Sequence, residues 1–313
     1  MKKLVLSALA VLSLASCYDD YIKDYDYSSI SFAQQINTRT VVIGEGQKIK
    51  FGAMLSGVMK NNSNRKVLFE LDNSLITPQV LEQMKKSSTY IKNAVSGVEK
   101  LKPMPEGYVT FSNDEEIVIP KGDHFGTISV TATDRFIADP ASIKATYVLP
   151  FRIVSADADS VNQAKNTSLI GLHYEHMLFG TYLRNGVTKI VNAQGQEVQT
   201  QSTTGKNWTL KTVSPNSLVT SLVENSRKGS MKITLQGEKI LISPVDGSEI
   251  QVTPEGESTY NNAKLLQERK LFLKYKFSDK AGNTYHVSDT LSFEHRIRDG
   301  VKEWQDENPE HYR

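Results

Sequence analysis

Short runs in which apolar and polar residues alternate recur along the chain, and this alternation is the feature that most constrains its fold. Leu271, Leu273, Tyr275 and Phe277 recur at every second position, and a second alternating run follows the turn at 279–283. Side chains two residues apart lie on one face of a strand, so each run predicts a half-buried β-strand. The stretches "KVLFELD", "EEIVIPKGDHFGTISVTA" and "TYVLPFRIVS" have the same character. The sequence therefore predicts a mainly β protein.

Residues 30–155 are predicted to form an Ig-like β-sandwich, because several short strands are separated by turn signals. Pro150 lies inside "TYVLPFRIVS", and a proline cannot donate a ladder hydrogen bond, so this strand is predicted at a sheet edge. One inserted helix is predicted, since Thr77 and Pro78 supply a cap and a first-turn proline. Apolar residues then recur at three- and four-residue steps as far as Val98.

The small, polar segment 156–168 is predicted to be a linker, and a C-terminal β domain is predicted over 169–313. Two hairpins are expected in this domain, one turning at 236–238 and the other at 279–283. An antiparallel β-barrel and a second β-sandwich both satisfy this pattern. The sequence does not separate these two architectures.

The N-terminus has the pattern of an export signal. Lys2 and Lys3 precede an apolar stretch, and Leu14-Ala15-Ser16-Cys17 resembles the bacterial lipobox, in which the cysteine is lipidated. The sequence thus predicts a lipoprotein signal peptide over 1–16, lipidation of Cys17 and a flexible spacer over 17–29. A single cysteine excludes an internal disulfide.

The charge balance gives no indication of nucleic-acid binding. Removal of Lys2 and Lys3 with the signal brings the 37 basic side chains level with the 35 acidic ones. No second apolar run is long enough to cross a bilayer, so membrane contact is expected through the lipid anchor only.

Several longer strings in the chain carry a family resemblance. "VTFSNDEEIVIPKG" and "YVLPFRIVSA" resemble the N-terminal Ig-like module, domain-of-unknown-function family 1735, of Bacteroidota surface lipoproteins of polysaccharide-utilisation loci. "LFGTYLRNG", "LKYKFSDKAGNTYHVSDTLSFEHRIRDG" and "VKEWQDEN" resemble a C-terminal domain of unknown function, family 4361. The resemblance implies a protein that holds glycans at the cell surface and passes them to an outer-membrane importer. Asp19 and Asp20 resemble the acidic signal that follows the lipidated cysteine, which implies an outer-membrane protein facing the cell exterior.

Catalytic patterns are weak in this sequence. A glycosidase needs two facing carboxylates, and the densest acidic cluster, 114–116, is interpreted as a solvated turn. No residue range remains for a (β/α)8 barrel of about 250 residues. In "HYEH", His173 and Glu175 share one face of a strand while His176 lies on the other, which disfavours a three-ligand metal site. We expect no catalytic residues, no metal and no cofactor.

Carbohydrate binding needs an aromatic ring for the apolar face of a sugar and polar side chains for its hydroxyls. Trp208 shares a strand face with Leu210, so core packing is an equal alternative, and Trp304 could instead hold the C-terminal tail on the domain. Asp159-Ser160-Val161 matches a short O-glycosylation motif, so Ser160 is a modification candidate. The carbohydrate-binding candidates are Tyr182, Trp208, Tyr260, Trp304, Arg184 and Asn185.

The leading hypothesis is a non-catalytic surface lipoprotein that captures oligo- or polysaccharide for an outer-membrane importer. A structural or adhesive lipoprotein that contacts a transporter or another protein is the alternative. A glycoside hydrolase, or an accessory to one, is the third hypothesis.

Overall fold

The computed structural model describes residues 26–222 and 229–306. The protein is mainly β, with 56% strand and 12% helix, which confirms the predicted fold class. The predicted signal peptide, Cys17 and the spacer up to residue 25 lie outside the described residues. Within the described residues, no helix has the length and apolar character needed to cross a lipid bilayer.

The N-terminal half contains eleven strands and three helices among the residues that the structure describes. The helices are α1 (Pro78–Lys85), α2 (Thr89–Ala94) and α3 (Asp134–Ala138). The strands are β1 (Asp26–Phe32), β2 (Ile36–Ile43), β3 (Lys48–Val58), β4 (Arg65–Leu71), β5 (Lys102–Pro103), β6 (Val109–Phe111), β7 (Glu116–Ile119), β8 (Phe125–Ala132), β9 (Tyr147–Ala156), β10 (Ser160–Val161) and β11 (Thr167–His176).

Two sheets form the predicted N-terminal sandwich. One has the strand order β10-β1-β3-β8-β6, and the other β2-β11-β9-β4-β7, with β5 added beside β9. Their inner faces enclose an aromatic centre, where the Phe51 and Phe151 rings stack at 3.8 Å between centroids. Alternation places these apolar side chains on one face of each strand, so the two sheets bury them together.

The prediction that Pro150 marks an edge strand was wrong. Its strand β9 pairs with β11 on one side and with β4 on the other. The carbonyl of Pro150 accepts a hydrogen bond of 2.8 Å from the Asp72 N–H, one residue past the end of β4. The missing N–H of the proline coincides with the end of the β4 pairing, whose last pair is Leu71 with Phe151.

The single inserted helix is also corrected, because the structure breaks it into α1 and α2. The Thr77 hydroxyl accepts a hydrogen bond from the Val80 N–H at 3.4 Å, so the predicted cap is confirmed. Ser88, the N-cap of α2, has non-helical backbone angles, φ −55° and ψ 154°. The two short helices still bury their apolar faces in one small cluster against β9 and β11, which is why the spacing of apolar residues continues across the break.

The predicted linker at 156–168 has regular structure. Its residues form the end of β9, all of β10, a short 3-10 turn and the start of β11. Strand β11 pairs in parallel with β2 and antiparallel with β9, so residues 169–176 belong to the sandwich. Only residues 177–179 separate β11 from the first strand of the C-terminal half.

The C-terminal half is a closed eight-stranded barrel, which resolves the two architectures left open by the sequence. Hydrogen bonds between β19 and β20 close the sheet β19-β18-β16-β15-β14-β13-β12-β20 on itself, while β17 and β21 flank it. The predicted hairpins are β15–β16 and β19–β20. The strands are β12 (Gly180–Val191), β13 (Glu197–Ser214), β14 (Ser217–Ser221), β15 (Ser230–Gln236), β16 (Lys239–Pro244), β17 (Val252–Pro254), β18 (Ser258–Tyr260), β19 (Lys270–Ser278), β20 (Thr284–Arg298) and β21 (Val301–Glu303).

A buried ionic clamp joins the sandwich to the barrel. Glu45, in the turn between β2 and β3, receives two hydrogen bonds of 2.7 Å from Arg296 and lies 2.8 Å from Arg269. All three side chains are almost fully buried. Burial raises the pKa of Glu45, but the hydrogen bonds and charges of the two arginines outweigh burial and hold that pKa below its ordinary value.

A second contact between the halves involves the β20–β21 turn. The Asp299 carboxylate accepts hydrogen bonds from the Arg39 Nε, at 2.8 Å, and from the Thr40 N–H, at 2.9 Å. Gly300 has φ +83°, and an added Cβ there would lie 2.9 Å from the Tyr90 ring. Asp299 therefore ties the two halves together in addition to the Glu45 clamp and the covalent connection at 177–179.

Candidate functional site

Three of the predicted carbohydrate-binding residues lie inside the barrel. Tyr182 is 0% exposed, Arg184 1% and Trp208 3%. The Tyr182 hydroxyl donates to the Leu178 carbonyl at 3.0 Å, and burial raises the pKa of this tyrosine. A sugar stacks on an open ring face, so these three side chains offer it no surface.

Arg184 belongs to a polar network at the centre of the barrel. Its Nη2 lies 2.7 Å from Asp289 Oδ1, and its guanidinium carbon lies 5.5 Å from the centre of the Trp208 ring. The Tyr275 hydroxyl donates to Asp289 Oδ2 at 3.3 Å. Burial raises the pKa of Asp289, and the hydrogen bond from Arg184 opposes that rise. This network satisfies an internal charge rather than meeting a ligand.

Tyr260 and Trp304 both attach to one end of the barrel. Tyr260 is partly buried against the barrel core, whereas Trp304 is 58% exposed. The 3-10 turn Leu266–Glu268 links their neighbourhoods: Asp306 accepts from the Leu266 N–H at 2.7 Å, and Asn261 donates to the Glu268 carbonyl at 2.7 Å. Of the aromatic candidates, Trp304 and part of Tyr260 are therefore open to solvent.

Asn185, the remaining candidate, lies on the outer surface of the barrel in a row with an exposed aromatic ring. Asn185 is opposite Thr290, and Thr290 is opposite Phe272, so the three side chains share one face. Phe272 is 41% exposed. With strands about 4.8 Å apart, the ring and the amide are roughly 10 Å from each other. We name this surface the Phe272 face.

Hydroxyl and amine groups surround that row. On β20, Ser288 and Ser292 lie on either side of Thr290, two residues away along the same face. On β19, Lys270 and Lys274 occupy the equivalent positions beside Phe272. Asn185 Oδ1 accepts a hydrogen bond of 3.0 Å from the Gly205 N–H, which fixes the amide orientation. The Phe272 face thus combines one apolar ring with hydroxyl, amide and ammonium groups.

Phe272 is not among the carbohydrate-binding residues predicted from the sequence, although the sequence contains a signal that its ring is exposed. Residues 271, 273, 275 and 277 carry the apolar alternation of β19, and their side chains are buried. Phe272 is out of phase with them, between charged neighbours on the polar face. An aromatic ring at a solvent-facing position of a strand is available to stack on a ligand.

In "HYEH", His176 is buried and His173 is half-buried, and both lie in the joint between the halves. His173 Nε2 lies 3.2 Å from the Thr40 hydroxyl, and His176 Nδ1 accepts from the Leu178 N–H at 3.1 Å. Burial lowers the pKa of each histidine to about 4. Burial also raises the pKa of Glu175. Residues 26–222 and 229–306 contain no group of three or more His, Cys, Asp or Glu side chains that could hold a metal ion.

Ser160 is half-buried in β10, at the edge of the first sheet. Asp159 of the same motif accepts hydrogen bonds from the Ser28 N–H and hydroxyl at 2.7 and 2.6 Å, and these bonds lower the pKa of the carboxyl. The motif aspartate therefore has a structural partner, and modification of Ser160 stays a prediction.

Comparisons with known proteins find one family model and several solved structures of Bacteroides proteins that are similar to this chain. A family model described as "-like, N-terminal domain" matches residues 21–160. A Bacteroides ovatus protein of unknown function has a solved structure that is similar, with a TM-score of 0.65 and 21% identity, over 90% of this chain and 99% of that one. At this identity the likeness shows the fold.

Two further solved structures are similar at lower scores. A multidomain Bacteroides ovatus protein that includes a family 1735 domain of unknown function has a TM-score of 0.44 and 15% identity, over 89% of this chain and 100% of that one. An auxiliary nutrient binding protein from Bacteroides thetaiotaomicron has a TM-score of 0.42 and 15% identity, over 87% of this chain and 96% of that one. No curated protein matches the chain.

Proposed function

We propose that the protein is a non-catalytic, lipid-anchored surface protein that binds oligo- or polysaccharide for an outer-membrane importer. The observation that carries the binding role is the Phe272 face. An exposed ring can stack on the apolar C–H face of a pyranose, while Thr290 and Asn185 can bond its hydroxyls.

The surface location rests on the sequence. The lipobox at Cys17 and the acidic pair after it support a lipid anchor on the outer membrane, with the protein facing the exterior. A Cys17→Ala variant should leave the membrane fraction of the producing cells, while the parent chain should stay in it and be cleaved by protease added to intact cells. Protease resistance in intact cells would contradict the outward orientation.

The absence of catalysis is part of the same proposal. A retaining or inverting glycosidase needs two carboxylates about 5 to 9.5 Å apart across its substrate. Glu99 is the one carboxylate among the described residues that line the cleft between segments 97–102 and 140–146. Asp289 is inside the barrel and Glu175 is in the joint. Release of sugar from any polysaccharide by the purified chain, abolished by one carboxylate substitution, would overturn this part.

The binding role can be tested with a matched pair of variants. Mature protein should be retained in affinity electrophoresis by its polysaccharide, found first on a panel of plant and host glycans. Phe272→Ala should weaken that affinity at least about fivefold, because an aromatic contact contributes about 1 kcal/mol. Leu241→Ala removes a similarly exposed side chain, 47% against 41%, from a different barrel strand and should change nothing. Equal retention of the two variants would refute the Phe272 face as the site.

A structural or adhesive role is the second candidate, favoured by apolar groups on the β20–β21 hairpin. Ile297 is 53% exposed and faces the same side as Lys302 and Trp304. In this case an importer subunit should be pulled down without sugar, and Ile297→Asp should abolish the capture while Phe272→Ala leaves it unchanged. Capture that depends on Phe272 and on added glycan would favour the first proposal.

A further inference from the structure

A cleft of about 390 Å³ opens on the sandwich, far in sequence from the Phe272 face. It lies between the segment 97–102, which follows α2 and includes the start of β5, and the segment 140–146, which precedes β9. Its volume falls within the range of small-molecule sites. The lining includes the ammonium-bearing side chains of Lys100, Lys102 and Lys144.

The walls of this cleft are tied together by hydrogen bonds between the two segments. The Lys102 N–H donates to the Thr146 carbonyl at 2.9 Å, and the Ala145 N–H donates to the Ala94 carbonyl at 2.9 Å. Lys144 Nζ also donates to the Asn93 carbonyl at 3.0 Å, so its ammonium is held in place. Little ordering of the backbone is therefore required when a ligand enters.

The electrostatic balance of the cleft favours an anion. Three lysines face a single lining carboxylate, that of Glu99. The nearby Asp139 carboxylate is already bonded to the hydroxyls of Tyr108, at 3.0 Å, and Tyr147, at 2.6 Å. These bonds, the one from Tyr147 first, and the charge of Lys102 hold the pKa of Asp139 low, so its carboxylate is ionised and offsets part of the lysine charge. Together with Glu99 it leaves three ammonium groups against two carboxylates.

We infer that this cleft binds the carboxylate or sulfate groups of an acidic saccharide, an inference whose saccharide part rests on the proposed function. The lysine ammonium is a compact point charge and does not require an anion of planar shape. Uronate carboxylates and sulfate esters can therefore both bind to it. Pro140 and Ala141 add an apolar wall, and Thr146 adds a hydroxyl beside it. The protein would then select acidic saccharides by charge in the cleft of the sandwich and bind sugar rings by stacking at the Phe272 face of the barrel.

The test uses the mature chain, two acidic probes and their neutral counterparts. Oligogalacturonate is compared with oligogalactan, and dextran sulfate with dextran, by isothermal titration at two salt concentrations. The acidic members should bind more tightly and should weaken as salt rises. Lys100→Met with Lys102→Met should weaken this binding at least about tenfold. Lys165→Met with Lys232→Met, which removes two exposed lysines elsewhere, should leave it unchanged.

The outcomes separate this inference from the Phe272 face. Loss of acidic binding in the cleft variant, with Phe272→Ala still binding the acidic probe, supports the inference even if no neutral glycan binds. Preference for oligogalacturonate or for dextran sulfate identifies which anion the cleft takes. The inference is overturned if acidic and neutral probes bind equally, or if the cleft variant still binds the acidic probe. In either case the Phe272 face is tested by its binding of neutral glycans alone.

Discussion

Glu45→Ala tests the ionic clamp between the sandwich and the barrel. The Glu45 carboxylate is surrounded by Arg296, through two bonds of 2.7 Å, and by Arg269 at 2.8 Å, and all three side chains are at most 4% exposed. Removing one member of a buried ion pair costs about 3 to 5 kcal/mol. Arg296 keeps a second carboxylate partner, Glu303, at 2.5 Å, so we expect a cost toward the lower end of this range. Because whole-domain stabilities are about 5 to 15 kcal/mol, the loss is a large fraction of the total.

The free energy of unfolding is measured by urea titration, followed by fluorescence and circular dichroism. The parent chain should unfold in one transition, and Glu45→Ala should lower the midpoint and separate the sandwich transition from that of the barrel. Glu197→Ala is the matched control: its carboxylate lies 3.8 Å from the exposed Lys189 ammonium, and its removal should change stability by no more than about 0.5 kcal/mol. A loss below about 1 kcal/mol for Glu45→Ala would refute the clamp.

Three further outcomes are expected. His173 and His176 have pKa values of about 4 in the folded chain, against an ordinary value of 6.5. Between pH 4 and pH 6.5 the unfolded chain therefore binds more protons than the folded chain. Stability is then full above pH 6.5 and falls by up to about 3 kcal/mol per histidine toward pH 4; urea midpoints that stay constant between pH 7 and 5 would contradict this. Asp289→Ala should cost about 3 to 5 kcal/mol in calorimetry, because it leaves the guanidinium opposite it unpaired inside the barrel. Trp208→Ala should cost about 3 to 5 kcal/mol, whereas Trp304→Ala should cost much less; equal costs would contradict the burial difference.

Local chemistry made much of the fold predictable. The alternation around Leu273 and the turn at 279–283 involve neighbouring residues, so the β19–β20 hairpin could be inferred before any long-range contact was known. The same holds for the Thr77 cap of α1. The site was less predictable, because residue type alone does not show whether an aromatic side chain such as Tyr182 or Trp208 packs in the core or contacts a sugar. The phase of Phe272 against the apolar residues of its strand marked it as an outward aromatic.

By itself, the sequence determined that the chain is strand-rich, where its hairpins turn, and that Cys17 stands where a lipid anchor is expected. These features depend on residue type and short spacing. The tertiary structure decided that the sheet closes through β19 and β20, that β11 belongs to the sandwich, and that Arg184 faces inward while Phe272 faces outward. It also brought Glu45 to arginines more than 200 positions away. Such pairings depend on which distant surfaces bury each other, and no local pattern records that choice.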